Sequence, residues 1–362
     1  MTANPTGNPK GFEPVFCTIV PPHLQDQVAQ SENRAVAVKA RKSLERDAFE
    51  RTRRRMTTVL GAPSAAPPST ADADQSPRRT LYDAQHRTDL PGRKVRGEGD
   101  EPGQDATVNR AYAGLGATFE LYLQKYGRFS IDGEGLALDA TVHYDQDYNN
   151  AFWNGEQMVF GDGDGEIFLD FTIPIDVIGH ELTHGVTQYT ANLTYFGQPG
   201  ALNESMSDVF GSLIKQYSLG QTAAEADWLI GAGLLAPDVT GVALRSMKAP
   251  GTAYDDDVLG KDPQPADMAH YVRTGRDNGG VHINSGIPNH AFYILAETLG
   301  GNAWERAGQI WFDTLTGGEL KQDALFPDFA KATVKSAQAR YGGGEEYQSV
   351  LKAWEQVGVP TH

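Results

Sequence analysis

The sequence predicts an α+β fold in which two lobes follow each other along the chain. From about residue 80 to 175, alternating apolar residues are interrupted by Gly, Asp and Asn, a pattern typical of strands and turns. Over residues 176–362, apolar residues recur mainly at helical spacing. A segment rich in Pro, Ala, Ser and Asp separates residues 1–60 from both lobes. These observations predict a short leader, a linker, a β-rich N-terminal lobe and a mainly helical C-terminal lobe.

The leader and the linker come first along the chain. Spaced apolar residues stand among many Arg and Lys in residues 28–60 and predict an amphipathic helix; they include Val36, Val38, Leu44 and Phe49. The segment GAPSAAPPSTADADQSPRR follows at residues 61–79. Its composition cannot bury enough apolar surface to order itself. We therefore predict a linker there, and a boundary between the leader and the lobes.

The two lobes are expected to differ in secondary structure. The first contains strand-like stretches such as ALDATVHY, with one helix predicted near residues 106–126. The second contains helical periods at 176–190, 203–219, 285–299, 301–316, 323–341 and 344–356. No internal repeat is visible.

The net charge of −16 is unevenly distributed. Residues 1–80 hold 12 Lys+Arg against 8 Asp+Glu, a net +4, whereas residues 81–362 hold 19 against 39, a net −20. Two interpretations stay open: two solvated surfaces of different composition, or a basic leader held to an acidic body partly by charge attraction. So acidic a body is not expected to bind nucleic acid.

Composition also bears on location. No stretch approaches the ~20 apolar residues of a membrane span, so no membrane partner is expected. The start, MTANPTGNPKGFEPVF, lacks a basic beginning and an apolar core, and no conventional signal peptide is expected. Cys17 is the only cysteine, which excludes an internal disulfide.

The stretch IDVIGHELTHGVTQYT, residues 175–190, predicts a metal site. In a helix, His180 and His184 project from one face, one turn apart, and Zn²⁺ accepts neutral imidazoles in a tetrahedral shell. A third ligand is available from GALNESMSDVFG, where Glu204 can complete a His₂Glu shell. Asp208, four residues further on, can accept the outer N–H of a ligating histidine. Glu181 follows the first ligand, and we expect it to act as general base toward water and later as proton donor to the leaving group.

These motifs resemble the thermolysin family of zinc metallopeptidases. HELTH is followed by NESMSD, with Glu204 twenty residues after His184. YNNAFWNGEQMVFGDGDG at 148–165 resembles the family's substrate-edge strand, while LRSM at 244–247 and DNGGVHINSGIPNH at 277–290 resemble two further active-site segments. The resemblance covers about residues 80–362 and implies a two-lobed fold with the zinc site in the cleft between the lobes.

The resemblance also implies catalytic and substrate-binding roles. Tyr195 and His282 would donate hydrogen bonds to the oxyanion, and Asp277 would orient His282. Asn150, the Ala151 carbonyl and the Trp153 backbone would hold the substrate main chain as an added strand, and Arg245 would contact a substrate carbonyl. The main specificity pocket would consist of apolar residues, which predicts cleavage before large apolar residues: Phe168, Val177, Leu244, Ile230 and Leu234. Plain core packing remains an alternative for Ile230 and Leu234.

The chain departs from larger family members at their calcium sites. Asp176 and Asp227 stand at two matching positions, but Lys215 and Ala232 replace two expected carboxylates. The Lys215 ammonium can take the cation's place between the two aspartates. We therefore expect one Zn²⁺ per chain and no calcium requirement.

The leader carries FCTIVPPHLQ at residues 16–25, which resembles the short propeptides of protealysin-like family members. Pro21 and Pro22 predict a stiff extended segment that can lie across the cleft as an intramolecular inhibitor. Processing is expected between Arg55 and Leu81. For Cys17, a small packed residue is the favoured interpretation and a thiolate on the zinc is the alternative.

The sequence as a whole predicts a zinc-dependent neutral endopeptidase that acts on polypeptides and is made as an autoprocessed precursor. A zinc exopeptidase on the same fold and a catalytically silent peptide-binding protein are the alternatives. Family resemblance favours secretion by a route independent of a signal peptide; a cytoplasmic location is the other possibility.

Overall fold

The computed structural model describes residues 16–59 and 75–362. Residues 1–15 and 60–74 lie outside this part of the chain, and with them most of the predicted linker and processing region. In the leader, helix α1 spans Pro22–Val28 and helix α2 spans Arg34–Val59. The prediction that Pro21 and Pro22 are both extended is only half correct. Pro21 is extended, whereas Pro22 opens α1, because the fixed φ and missing N–H of proline suit the first helical position.

The N-terminal lobe is built on a five-stranded sheet with the order β2-β1-β3-β5-β4. Its strands are β1 (Arg79–Asp83), β2 (Arg93–Gly97), β3 (Leu138–Val142), β4 (Ala151–Trp153) and β5 (Met158–Phe160). The central pairs β1–β3 and β3–β5 are parallel, and the outer pairs are antiparallel. Helix α3 (Ala106–Tyr126) occupies the predicted position, with Asp105 capping its start and Gly127 ending it in a left-handed conformation.

The C-terminal lobe is mainly helical, as expected. Its helices are α4 (Ile175–Gln188), α5 (Gly197–Leu219), α6 (Asp277–Asn284), α7 (Gly286–Leu299), α8 (Arg306–Thr316), α9 (Phe326–Tyr341) and α10 (Glu345–Gln356). Between α5 and α6 lie a 3₁₀ turn (Met268–His270) and two pairs of two-residue strands: β6 (Leu229–Ile230) with β7 (Arg245–Ser246), and β8 (Asp255–Asp256) with β9 (Gly260–Lys261). Helix α5 begins earlier than the predicted residue 203, and α6 was not predicted.

Helix α4 lies in the core between the two lobes. It packs on α5 and α3 and against the edge strand β4, and its residues 176–187 are all buried. Two glycines let α4 and α5 approach closely: a Cβ on Gly211 would lie 2.6 Å from the Asp176 carbonyl oxygen, and one on Gly179 would lie 3.2 Å from the Gly211 Cα. This close contact brings the HELTH turn against the second predicted ligand segment. Among the described residues, no helix combines the length and apolarity that crossing a membrane requires.

Candidate zinc site and substrate cleft

The three predicted metal ligands converge at the contact between α4 and α5. His180 Nε2 lies 3.1 Å from His184 Nε2, because the two residues are one helical turn apart. Glu204 faces both rings, with Oε2 3.5 Å from His180 Nε2 and Oε1 3.6 Å from His184 Nε2. All three side chains are buried.

Outer partners fix both imidazoles through their Nδ1 atoms. His180 Nδ1 lies 2.8 Å from Asp208 Oδ1, the contact that the sequence predicted. His184 Nδ1 lies 2.8 Å from the side-chain oxygen of Asn203, which sequence reasoning missed although Asn203 directly precedes Glu204. Each Nδ1 therefore has an acceptor, which leaves each Nε2 lone pair directed at the shared centre.

The donor set fits Zn²⁺ on the chemistry of its atoms. Burial lowers the pKa of His184 to about 4, so this imidazole is neutral. Burial alone would raise the pKa of Glu204, but the imidazoles of His282, His184 and His180 lower it to about 2. Glu204 Oε2 accepts no hydrogen bond from the described residues although it is buried. Two imidazoles with their Nε2 atoms together and one buried carboxylate are the His₂Glu set of a catalytic zinc site.

Glu181 lies beside the ligand set and next to Trp153, the last residue of the edge strand β4. Its Oε2 accepts the Trp153 backbone amide at 3.1 Å, while its buried Oε1 has no hydrogen-bond partner among the described residues. Burial, and then the nearby Glu204 charge, raise the pKa of Glu181 well above its ordinary value. Glu181 is therefore a proton-accepting group with one oxygen available inside the cleft.

Tyr195 and His282 border the opposite side of the ligand set. The Tyr195 hydroxyl donates to Glu204 Oε1 and lies 3.3 Å from His282 Nε2. His282 Nδ1 lies 2.6 Å from Asp277 Oδ1, and the His282 amide donates to Asp277 Oδ2 at 2.9 Å. Burial lowers the pKa of His282, but Glu204 and Asp277 outweigh it and raise the pKa overall. The expected group of one tyrosine, one histidine and its orienting carboxylate is therefore assembled.

An unusual backbone turn allows Asp277 to reach back to His282. Asp277 and Asn278 have φ of 52° and 48°, and Gly279 and Gly280 follow with φ of 84° and 81°. Four consecutive left-handed residues make no α-helix, and Gly and Asn are the residues that tolerate this region most easily. The DNGG sequence therefore curls the start of α6 so that one carboxylate binds both the amide and the ring of His282.

The leader runs through the cleft along β4. The Ile19 amide donates to the Ala151 carbonyl at 3.2 Å, and the Val20 amide donates to Asn150 Oδ1 at 2.9 Å. Asn150 Nδ2 returns a hydrogen bond to the Val20 carbonyl at 3.2 Å. Two of the three predicted main-chain contacts are thus made by the chain's own leader; the amide of the third residue, Trp153, donates to Glu181 instead.

Arg245 joins the leader to the zinc site. Its Nη1 donates to the Ile19 carbonyl at 3.2 Å, the kind of contact expected with a substrate carbonyl. Its Nε and Nη2 donate to the two oxygens of Asp208, each at 2.8 Å. Asn289, which was not predicted, adds a third donor to Asp208 at 2.9 Å. One buried carboxylate therefore orients both a zinc-binding imidazole and the guanidinium that contacts the leader.

Cys17 lies against the ligand set. Its Sγ is 2.9 Å from Glu204 Oε1, 3.5 Å from His282 Nε2 and 2.8 Å from the Tyr195 hydroxyl oxygen. The thiol sulfur and one donor atom from each of the three predicted metal ligands all lie within 4.8 Å of one another. Burial, together with the charges of Glu204 and Glu181, raises the pKa of this thiol well above its ordinary value. This geometry fits the alternative interpretation, in which the Cys17 thiolate binds zinc. Cys17 is also small and buried, as the favoured interpretation of a packed residue expects.

The five predicted pocket residues are all buried and belong to the same apolar core as Ile19 and Val20. The Leu244 amide donates to the Ile230 carbonyl at 3.0 Å, and the Leu169 amide, next to Phe168, donates to the Leu234 carbonyl at 2.8 Å. Val177 lies on α4 directly after Asp176, whose Oδ1 accepts the Gly231 amide at 2.9 Å. Segments distant in sequence thus bring these side chains together beside α4, the helix that carries His180 and His184.

Lys215 lies between the two predicted aspartates. Its ammonium is 2.7 Å from Asp227 Oδ2 and 3.1 Å from Asp176 Oδ2. Burial lowers the pKa of Lys215, but the two carboxylates outweigh it and raise the pKa overall. Asp176 is fully buried, and burial raises its pKa despite the neighbouring ammonium. The ammonium occupies the position between carboxylates that the sequence assigned to it.

Comparison with known proteins agrees with this geometry. A family profile described as "Thermolysin metallopeptidase, catalytic domain" matches residues 69–188, and one described as "Thermolysin metallopeptidase, alpha-helical domain" matches residues 191–359. An "Extracellular metalloprotease" of Pectobacterium carotovorum subsp. carotovorum is 49% identical over 346 residues, covering 95% of this chain and 96% of the relative. A "Thermolysin" of Alicyclobacillus acidocaldarius subsp. acidocaldarius is 41% identical over 289 residues, 77% of this chain and 50% of that protein.

A solved structure extends the similarity to the leader. The structure described as "Precursor of Protealysin, Metalloproteinase from Serratia proteamaculans" matches with a TM-score of 0.86 and 50% identity, covering 95% of this chain and 99% of that one. Both lobes, with their α+β architecture, thus follow the fold that the sequence predicted. The chain therefore belongs to the thermolysin family of metallopeptidases, and it is a zinc metalloendopeptidase.

Proposed function

We propose that this chain is the inactive precursor of an endopeptidase, in which the leader occupies the substrate cleft until the linker is cut. The observation that carries the proposal is the position of Ile19 and Val20. Their main-chain groups pair with Asn150, Ala151 and Arg245, the groups expected to hold a substrate. A polypeptide cannot use these donors and acceptors while the leader does.

We propose catalytic roles that the geometry of the cleft supports. Bound zinc would be held by His180, His184 and Glu204, and it would supply an acidified water and a Lewis acid for the scissile carbonyl. Glu181 takes the proton of the attacking water on its unpartnered oxygen and passes it to the leaving amine. Its buried position excludes bulk water, which would compete for that proton.

Tyr195 and His282 supply the donors for the oxyanion. Their polar atoms lie 3.3 Å apart, so both can contact one oxygen. Asp277 acts through His282, because it accepts the Nδ1 proton and favours the charged imidazolium, whose Nε2–H can then donate to the substrate.

Selectivity is proposed to reside in the buried apolar pocket beside Val177 and Leu244. Main-chain pairing along β4 accepts many sequences, so side-chain preference has to come from such a pocket. A pocket lined by five apolar side chains favours cleavage on the N-terminal side of large apolar residues.

We also propose that the enzyme needs zinc but no calcium at the Lys215 position. The ammonium occupies the position between Asp176 and Asp227 and offsets one of their two negative charges, so a hard cation would have to displace it and would find only two carboxylates. Cleavage of the precursor is proposed to fall between residues 55 and 81, and the processed enzyme is proposed to act outside the cell. The name of the Pectobacterium relative supports the location, and the exposed residues 75 and 76 support the accessibility of that region.

The test uses a synthetic peptide that is blocked at both ends and contains a single Leu at an internal position. Purified chain should hydrolyse the bond before Leu only after the linker has been cut, and N-terminal sequencing should show loss of the leader together with the onset of activity. Equal activity before and after cutting would refute inhibition by the leader. Hydrolysis restricted to unblocked peptides would favour an exopeptidase.

Glu181→Gln separates catalysis from binding. After its linker has been cut by added wild-type enzyme, the variant should keep its zinc and bind the blocked peptide, and hydrolysis should fall by about 10²- to 10⁴-fold, the usual contribution of a general base. Undiminished hydrolysis would exclude Glu181 as the base. Peptide binding without hydrolysis in the processed wild type would support the silent peptide-binding alternative.

A further inference from the structure

A second cluster of metal-binding side chains lies on the N-terminal lobe, outside the substrate cleft. His86 lies in the turn between β1 and β2, His143 directly follows β3, and Asp162 lies just after β5. One ring nitrogen from each histidine and one oxygen of Asp162 lie within 4.8 Å of one another. Residues from three separate strand ends therefore meet at one edge of the sheet.

The distances at this cluster suit a small cation. His143 Nδ1 lies 2.9 Å from Asp162, and His86 Nδ1 lies 3.4 Å from Asp162 Oδ2. Donor atoms on a tetrahedral Zn²⁺ with bonds of about 2.0 to 2.1 Å are separated by about 3.3 Å. The two contacts to Asp162 are therefore close to the separation of ligand atoms around one such ion.

The cluster also has an outer partner of the kind that metal sites use. His143 Nε2 lies 3.0 Å from Asp105 Oδ2, while Asp105 Oδ1 accepts the Thr107 amide at 2.9 Å at the start of α3. A ligating imidazole commonly gives its second N–H to a carboxylate, which fixes the ring and its tautomer. Asp105 would hold His143 as Asp208 holds His180.

Ion pairing alone explains only part of this arrangement. The hydrogen bond to Asp162, and then that to Asp105, raise the pKa of His143 to about 9, so a proton can bridge His143 and the two carboxylates. A proton shared by His143 and the two carboxylates does not explain why His86 also lies beside Asp162. The His86 amide donates to the His143 carbonyl at 2.8 Å, which directs a second imidazole toward the same carboxylate.

We propose that His86, His143 and Asp162 bind a second divalent transition-metal ion. Two imidazoles and one carboxylate favour Zn²⁺, Co²⁺ or Ni²⁺ over Ca²⁺ or Mg²⁺, which require more oxygen ligands. His86 is 58% exposed in its side chain, so the ion has an entry path and water can complete its shell. The ion would join the ends of β1, β3 and β5.

The experiment counts metal ions on the full chain in the Glu181→Gln form, which keeps the chain length constant. Protein carrying one zinc equivalent is titrated with Zn²⁺ at pH 7.5 by calorimetry, and native mass spectrometry counts the bound ions. A second equivalent is expected. In His86→Asn its affinity should fall more than about 100-fold, because even the loss of an outer partner costs 10- to 100-fold. Asn tolerates the left-handed φ of 56° at position 86 and lacks the imidazole.

His270→Asn is the matched control. His270 is another exposed histidine paired with one aspartate, Asp267 at 2.8 Å, but it belongs to neither described metal-binding cluster. The control should keep the second equivalent with unchanged affinity. A count that stays at one in the parent chain would overturn the proposal, and so would a second equivalent that His86→Asn weakens less than tenfold.

Discussion

Asp47 of the leader provides a pH-dependent measure of how firmly the leader is docked. It lies on α2, is 3% exposed, and accepts hydrogen bonds from the Tyr148 hydroxyl and from Asn150 Nδ2, the latter at 2.9 Å. Asn150 is also the residue that binds Val20 in the cleft. Burial raises the pKa of Asp47 to about 7; the bonds from Tyr148 and Asn150 and the charge of Arg51 limit this rise, while Glu50 adds to it.

The sign of the effect follows from comparing the docked and undocked leader. An undocked Asp47 would have the ordinary aspartate pKa of about 4, so the docked form binds the proton more tightly. The contribution of Asp47 to docking is therefore largest below pH 4, decreases as the pH rises from about 4 to 7, and is constant above 7. A pKa difference of this size corresponds to at most roughly 4 kcal/mol, or about 10³-fold in the docking equilibrium.

Hydrogen exchange at the Ile19 and Val20 amides measures this equilibrium in the full chain, because both amides are hydrogen-bonded only while the leader lies on β4. We expect protection, corrected for intrinsic exchange, to fall at least tenfold between pH 5 and 7 in the wild type. Asp47→Asn cannot ionise and should abolish this fall, so that it is the better protected chain at pH 8. Asp26→Asn, an exposed leader position, is the control and should follow the wild type. Parallel pH profiles for Asp47→Asn and the wild type would refute the reasoning.

Three further predictions concern the body of the enzyme. Lys215→Glu should make the melting temperature rise on addition of calcium, whereas the wild type should show no change; a calcium response in the wild type would contradict the proposed replacement. Asn203→Ala should lower zinc affinity by about 10- to 100-fold in chelator competition, because His184 loses the acceptor at its Nδ1, and unchanged affinity would exclude that role. Gly211→Ala should destabilise the fold by about 1–3 kcal/mol in thermal unfolding, since its Cβ meets backbone at 2.6 Å, while Gly103→Ala, with no neighbour within 4 Å, should have no comparable effect.

The zinc helix was predictable because its signal is local. Helical spacing alone places His180 and His184 on one face, and Glu204 lies in a second helical segment whose motif is also short. The α3 helix was predictable for the same reason, with Asp105 and Gly127 at its ends. Such signals depend on neighbours in the sequence and need no knowledge of tertiary contacts.

The contacts that decide regulation were not predictable, because they join residues distant in sequence. Asp47 has no sequence signal that distinguishes it from a solvated helix carboxylate, and only the fold brings it against Asn150. The start of α6 was missed because four left-handed residues interrupt any helical pattern there. The position of Cys17 at the metal ligands depends on a leader segment that is neither helix nor strand.

The charge difference between leader and body explains less of the docking than its size suggests. Ion pairs do join them: Lys42 lies 2.7 Å and Arg46 3.4 Å from Asp145, and Lys39 lies 3.1 Å from Glu166. Each pair includes a partly exposed side chain, and such pairs contribute about 0–1 kcal/mol apiece and are screened by salt. The leader also buries apolar side chains in the same core as the lobes, and each can contribute about 1.5–3 kcal/mol; they include Ile19, Val20, Leu24, Val28 and Val36. Apolar burial must therefore provide most of the docking energy, while the basic surface mainly orients the leader on the acidic body. This division is consistent with a buried, titratable Asp47, because a leader held chiefly by apolar contacts can tolerate one costly polar group at its interface.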